Sequence, residues 1–297
     1  MRKKLLAKYK NGNYFVELCA DGTKVKYTED DYFDAEFPES MDLKITNRCD
    51  LNCPMCHEKS TPNGRHADIN APFLKTLKAG TELAIGGGNP LMHNKIHTFL
   101  EMMKKQGVVC NITINEQHFL KLQPVVEDLI KQKLIYGLGI SLNECNEKTI
   151  EFAKQNKNVV FHIINGIFDN FDKIINQNLK VLILGYKKFG RGEKFYSKKV
   201  QNLIDKTKEL LPTLFDKFAC LCFDNLALKQ LDVKSLVSKE DWENFYMGDD
   251  GECTMYVDLV EQKFAKSSTS TERYDILDNI EDMFHKIKQG KGENNES

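Results

Sequence analysis

Tryptophan occurs once in these 297 residues, proline seven times, and a surplus of charge not at all: 42 basic against 43 acidic side chains leave a formal charge of -1. That balance offers no bulk electrostatic basis for holding nucleic acid or a membrane surface, although a local basic patch stays possible. No apolar run approaches the roughly 20 residues that cross a bilayer. The start is basic but runs directly into Lys8, Tyr9 and Lys10, with no apolar stretch of the kind a secretory signal needs. No internal repeat is visible. The cysteines number nine, an odd count. With three of them clustered, they fit thiols and a metal in a reducing cytoplasm better than a disulfide framework. What is present is ordinary for a globular chain: 41% hydrophobic and 29% charged residues, with length enough for a sizeable core.

The cluster is Cys49, Cys53 and Cys56, spaced C-x3-C-x2-C. It follows the alternating, β-prone stretch 41–46, so it should lie on a loop leaving a strand, where three sulfurs can meet. Converging thiolates bind soft metal centres. Iron–sulfur clusters and structural zinc usually take four protein ligands, so three local thiols leave one position open. Zinc with His57 as fourth ligand is an alternative, as is no metal. Zinc sites usually pair two C-x2-C units, however, and Cys53 with Cys56 is the single such unit here. His57 itself reads either as a group near the centre or as a solvated side chain; His66 and Asp68 are weaker versions of the same reading.

A second informative stretch is Gly86-Gly87-Gly88-Asn89-Pro90, about thirty residues on, at the end of a short apolar strand. Glycine lets backbone approach a ligand closely because no Cβ intervenes. The cysteine spacing and this glycine segment together resemble the radical S-adenosylmethionine (radical SAM) superfamily. That family carries C-x3-C-x2-C after its first barrel strand and a GGEP-like segment after its second. Two departures are visible: Met55 replaces the aromatic residue common before the third cysteine, and the acidic third residue of the glycine segment is missing. The resemblance implies a 4Fe–4S cluster on Cys49, Cys53 and Cys56, with SAM on the open iron. It implies reductive cleavage of SAM to a 5′-deoxyadenosyl radical that abstracts hydrogen from a substrate, and an electron donor such as flavodoxin or ferredoxin. Gly86, Gly87, Gly88, Asn89 and Pro90 would then meet the SAM amino group through backbone and the Asn89 side chain.

Around these motifs the chain alternates. Turn signals at Asn11-Gly12 and Asp21-Gly22 predict a β-meander over 3–28. Helices are predicted over 71–78 (with Asn70 as N-cap), 96–105, 118–133 with Pro124 near a bend, 147–155, 169–177 and 198–211. Strands are predicted over 108–115, 136–143, 159–164, 180–185 and 218–223. Near-continuous apolar strands between amphipathic helices mean a parallel sheet. An open dinucleotide-binding sheet is the rival, but cysteines stand where its glycine signature belongs. The expected class is α/β: a partial (β/α)6 radical SAM-type barrel with an N-terminal β-meander and a C-terminal α+β extension. The expected divisions are 1–38 for the appendage, 39–223 for the barrel, 224–289 for a substrate-covering extension and 290–297 for a disordered tail. A hairpin over 254–260 and 263–268 and a helix over 276–288 belong to the extension.

Reactive groups of such barrels lie at the C-terminal strand ends. That nominates Thr113 and Asn115, then Ser141 and Asn143, which the resemblance places near the SAM ribose and carboxylate; an ordinary cap or turn is the alternative for each. Asn165-Gly166 would approach the adenine. His162, inside a strand, is either a satisfied buried histidine or a functional one. The loop 185–192 carries Lys187 and Arg191, suited to a carboxylate or phosphate or simply solvated. Cys220, Cys222 and Cys253 are three scattered thiols, where family extensions with auxiliary clusters usually have seven; buried structural cysteines are the favoured reading. Asp224, Asn225 and Gln230 are candidate substrate contacts. A peptide or protein substrate is the first expectation and a nucleoside or small metabolite the second. An activating enzyme for another radical enzyme and, from a different class, a zinc-stabilised binding protein stay open.

Overall fold

The computed structural model describes residues 4–290. The tail expected beyond Gly290, and the first three residues of the appendage, lie outside the described residues.

The two Gly-containing turns produce the meander. β1 (Leu5–Asn11), β2 (Tyr14–Cys19) and β3 (Lys24–Tyr27) form an antiparallel sheet of their own. It packs across the N-terminal ends of the main strands. Asn158 Nδ2 donates to the Ala20 carbonyl at 2.8 Å, Lys180 Nζ donates to the Asp21 carbonyl at 2.9 Å, and Lys24 pairs with Glu82 at 2.8 Å.

The main sheet begins with seven parallel strands: β4 (Ser40–Thr46), β5 (Glu82–Gly87), β6 (Val109–Asn115), β7 (Gly137–Ser141), β8 (Val159–Ile164), β9 (Lys180–Leu184) and β10 (Cys220–Phe223). Parallel neighbours need long crossovers, and these carry α1 (Ile96–Gln106), α2 (Glu116–Lys131), α3 (Glu147–Gln155), α4 (Arg191–Phe195) and α5 (Lys198–Leu210). After β10 come α6 (Asn225–Leu231), α7 (Lys239–Phe245), β11 (Thr254–Asp258), β12 (Lys263–Ala265), β13 (Tyr274–Asp275) and α8 (Ile280–Gln289). β11 pairs parallel with β4, and β12 and β13 follow antiparallel, so segment 224–289 extends the main sheet on its β4 side. The ten strands run β10-β9-β8-β7-β6-β5-β4-β11-β12-β13 without closing. This is the expected α/β architecture, an open barrel-like sheet with helices on its outside.

One face of the strands is more polar than a doubly covered sheet predicts. Leu43, Ile85, Ile112, Ile140, Phe161 and Ile183 are buried in the core. The alternating positions, Asp42, Ala84, Asn111, Thr113 and His162 among them, line a cavity instead. Period-two alternation sends one residue set to the helices and the other inward.

Two predicted helices are shorter than their apolar pattern suggests. Segment 71–78 holds a 3-10 turn over Pro72–Thr76, preceded by Ala71 in extended backbone, while Asn70 bonds Asp68 rather than capping it. Segment 169–177 holds one 3-10 turn, Phe171–Lys173, because Asn176 and Asn178 take the left-handed conformation at φ 58° and 56°. Pro124 does bend α2: Leu122 leaves helical geometry there.

Candidate active site

Thr46 ends β4, and its Oγ1 accepts from the Arg48 amide at 2.9 Å, turning the chain into the cysteine loop. That loop is tied at several points. The Cys49 amide donates to the Thr61 carbonyl at 2.9 Å and the Cys56 amide to the Cys53 carbonyl at 3.2 Å. Arg191 adds a clamp from the loop after β9: Nε donates to the Cys53 carbonyl and Nη1 to the Ser60 carbonyl, both at 2.9 Å, and its own amide donates to the Cys56 carbonyl at 3.1 Å. The first and sixth crossover loops of the parallel array are thereby joined.

All three cysteines line a cavity of about 750 Å³, together with Gly86, Gly87, Gly88, Asn115, Ser141 and Lys187. Burial pushes the Cys49 and Cys53 thiols up, and the Arg191 charge opposes the shift. A metal centre binding there must therefore displace thiol protons. One tetrahedral zinc would draw its sulfurs to within about 4 Å of each other. Among the described residues the three thiols do not form a set whose ligand atoms all lie within 4.8 Å. Cys49 instead has its sulfur within 4.8 Å of ligand atoms of Asp50 and His118, while three thiols on one half-buried loop are also the donor set that an iron–sulfur cluster with an open iron would take.

The glycines divide by task. A Cβ on Gly88 would stand 2.2 Å from the Arg48 carbonyl oxygen; one on Gly87, which has φ +108°, would stand 2.4 Å from the Thr46 carbonyl oxygen. Both allow the glycine loop to pack on the base of the cysteine loop. Gly86 has nothing within 4 Å of a built Cβ and opens onto the cavity. Asn89 and Pro90 are buried behind the rim, where Asn89 Oδ1 accepts from the Leu91 amide at 3.1 Å.

The other nominated residues separate similarly. Asn115 caps α2 through the Gln117 amide and pairs with Asn143 at 3.1 Å. Lys187 donates to Ser268 Oγ at 2.9 Å, linking the β9 exit to the segment after β12. Asn165 Nδ2 donates to Gln230 Oε1 at 3.2 Å, and Gln230 also holds both backbone groups of Tyr186. Asp224 caps α6 and accepts from the Gly185 amide, while still lining the cavity with Asn225. Arg191, by contrast, points into the cysteine loop and does not line the cavity. His66 Nδ1 lies 2.8 Å from Thr46 Oγ1, and Asp68 is taken up by Asn70. Cys220 and Cys222 are exposed rather than buried as expected, with sulfurs 3.3 Å apart, and only Cys253 is buried, its thiol on the Met247 carbonyl, so those three do not assemble into a second centre.

Several groups in the site have no local sequence signal. Lys44 on β4 pairs with Glu58 at 2.6 Å and Asp258 at 2.9 Å, and His57 Nε2 is 3.3 Å from Glu58. Burial would raise the Glu58 carboxyl, but hydrogen bonds and charge from His57 and Lys44 hold it well below the usual range. Burial, then Lys187, pushes His57 down. His118 Nε2 lies 2.5 Å from Asp50 Oδ1, and that hydrogen bond holds the Asp50 carboxyl low. Buried Glu116 accepts from four consecutive amides, Asn143 to Asn146, at 2.6 to 3.2 Å, which pins the loop leaving β7. His57 and Glu58 are adjacent, but Lys44 meets Glu58 from 14 residues away and Asp258 from 214, and no spacing rule joins such groups.

No protein-family model and no curated protein matches this sequence. Solved structures do match. Streptococcus suis SuiB, a radical SAM enzyme, bound to S-adenosylmethionine, aligns with TM-score 0.56 and 15% identity over 82% of this chain. SuiB bound to its precursor peptide SuiA aligns with TM-score 0.60 and 16% identity over 88%. This is the radical SAM fold. The chain spans 64% of the SAM-bound SuiB chain and 68% of the peptide-bound one. Within the radical SAM fold the cysteine loop and the glycine loop stand at the C-terminal ends of neighbouring strands, β4 and β5. Among the described residues no helix is long and apolar enough to cross a membrane.

Proposed function

We propose that this protein is a radical SAM enzyme acting on a peptide or protein. The observation that carries the reading is the placement of Cys49, Cys53 and Cys56 with open Gly86 at one cavity. A 4Fe–4S cluster on those thiols, with SAM, would supply a 5′-deoxyadenosyl radical that takes a hydrogen atom from the substrate. The chain's residues orient and enclose. Arg191 keeps the cysteine loop in shape, and Gly86 offers backbone to the SAM amino group. Asn115 and Ser141 offer polar groups at the ends of β6 and β7. Ser267, Ser268 and Thr269 of the C-terminal segment, with Lys187 of the loop after β9 bonded to Ser268, form one wall of the cavity and would limit water access. The peptide preference is supported by the similarity to SuiB, whose structure holds its precursor peptide. A cytoplasmic setting and a flavodoxin- or ferredoxin-type electron donor complete the reading.

The test is anaerobic reconstitution with iron and sulfide, then SAM and dithionite. About four irons per chain and release of 5′-deoxyadenosine are expected, both lost when Cys49, Cys53 and Cys56 become Ala. Zinc without iron, and no SAM cleavage, would overturn it.

A further inference from the structure

Below the cysteine rim the cavity is lined by side chains that no protein group satisfies. Asp42 on β4 is level with Ala84 on β5, Asn111 on β6 and Gly137 on β7. Thr113 is level with Gly139, and His162 with Ser141. Asp42, Asn111, Thr113 and His162 all line the cavity. No side-chain hydrogen bond or ion pair ties any of the four to another described residue; Asp42 is exposed and the other three are half-buried, so their polar atoms are open to a guest in the cavity. The glycines of β7 let the neighbouring polar side chains lie close over the strand. A Cβ on Gly137 would stand 2.6 Å from Asn111 Oδ1, and one on Gly139 would stand 2.7 Å from His162 Nε2 and 2.8 Å from Thr113 Oγ1. Polar groups of three strands therefore face one cavity, with Asn111, Thr113 and His162 packed over Gly137 and Gly139.

The charge of this region is one-sided. Of the cations that line the cavity, Lys44 is paired with Glu58 and Asp258 and Lys180 bonds the Asp21 carbonyl, while Lys187 bonds the neutral Ser268 hydroxyl and its charge is felt by Asp42. Enclosure raises the Asp42 carboxyl, and the charges of Asp224, Asp250 and Glu58 add to that, against Lys187. His162 is kept neutral by burial, its pKa pushed down to about 4. Asp42 is open to the cavity, and of the charges around it Lys187 is one cation against the carboxylates of Asp224, Asp250 and Glu58, so a guest cation would meet a predominantly acidic floor.

Depth sets the guest's shape. The meander covers the N-terminal strand ends, so the approach is from the cysteine rim. Asp42 is four residues before the end of β4, about 13 Å down the strand at about 3.3 Å per residue. A charge reaches it on a long stem.

We propose that the cavity floor is a subsite for a cationic group, an ammonium or guanidinium on an extended stem, with the Asp42 carboxylate as counter-ion and Asn111, Thr113 and His162 as a neutral hydrogen-bonding wall. The substrate class is thus one carrying a lysine- or arginine-like side chain, or a free long-chain amine of the same chemistry. This deepens the proposed function and rests on it for the word substrate; the binding itself needs no catalysis.

The experiment uses the full chain, reconstituted with iron and sulfide, and ligand-observed NMR with three probes: N-acetyl-lysine methylamide, N-acetyl-norleucine methylamide and pentylamine. The lysine probe should bind about tenfold more tightly than its neutral isostere, the size of effect expected from one charge-assisted contact. Asp42→Asn should abolish that preference while leaving the melting temperature near wild type, since the side chain is exposed to the cavity and makes no hydrogen bond to another described residue. Asn111→Ala, which keeps the carboxylate, should retain the preference. Tighter binding of pentylamine than of the lysine probe would support the subsite and identify a free amine as its source. Equal binding of lysine and norleucine probes, no binding of the lysine probe, or a preference that survives Asp42→Asn would overturn the proposal. Iron content and 5′-deoxyadenosine release are read on the same sample, so loss of the radical reading is seen separately from loss of the subsite.

Discussion

Arg191 Nε donates to the carbonyl oxygen of Cys53 at 2.9 Å, across 138 residues of sequence. With the second bond to Ser60 it makes a two-point clamp on the loop that carries all three cysteines. The consequence is a division of labour in which a cation nominated for ligand binding acts on the shape of the thiol loop.

Arg191→Ala should therefore lower the iron retained after reconstitution and the melting temperature, with a stability loss of about 2 kcal/mol for charged hydrogen bonds to buried carbonyls. Arg191→Lys keeps the charge but not the fork, so it should recover only part of the loss. Iron content per chain and thermal melts check both. Wild-type iron content in Arg191→Ala would contradict the clamp.

The three glycines after β5 should separate on substitution. Gly87→Ala and Gly88→Ala place a Cβ against the Thr46 and Arg48 carbonyls and should destabilise the chain by about 2 kcal/mol or more. Gly86→Ala meets open space, so its melting temperature should stay near wild type while SAM affinity falls. Thermal melts and equilibrium dialysis with labelled SAM distinguish the two patterns.

Glu116→Gln should cost about 3 kcal/mol, because four amides of the loop after β7 depend on its two carboxylate oxygens, and an amide NH2 would face N–H donors. Hydrogen exchange at residues 143–146 should accelerate well before global unfolding does. Unchanged protection there would show that the loop is held by other means.

His162 predicts a pH dependence. Its folded pKa is lowered from 6.5 to about 4 by burial, so between those values the unfolded chain binds a proton that the folded chain does not. Stability from this group is complete above about pH 6.5 and declines as pH falls, by roughly 1.4 kcal/mol per unit. Melting temperatures measured from pH 7.5 down to 4.5 should fall less steeply in His162→Gln than in wild type. Parallel curves would mean that the imidazole does not titrate in that window.

Local chemistry made much of this protein legible before any fold was known. The thiol spacing, the glycine segment, the Gly-containing turns and the alternation of strand and helix are patterns within a few dozen residues, set by backbone geometry and side-chain periodicity. They located β4 to β10 and the three candidate metal ligands, and they failed where local apolar content outweighed backbone signals, as at Asn176 and Asn178. Only the tertiary structure decided which side chains face the cavity. A strand's two faces are equivalent in sequence until helices cover one of them, so the inward Asp42 and Asn111 could not be told from core positions and His162 read either way, while Thr113 was nominated only by its place at a strand end. Nor could sequence show that Arg191 turns to the Cys53 carbonyl, that Lys44 meets Asp258 across 214 residues, or that β11 joins the sheet beside β4. Hydrogen bonds and ion pairs depend on distance in space, and the crossovers that bring these groups together leave no trace in their separation along the chain.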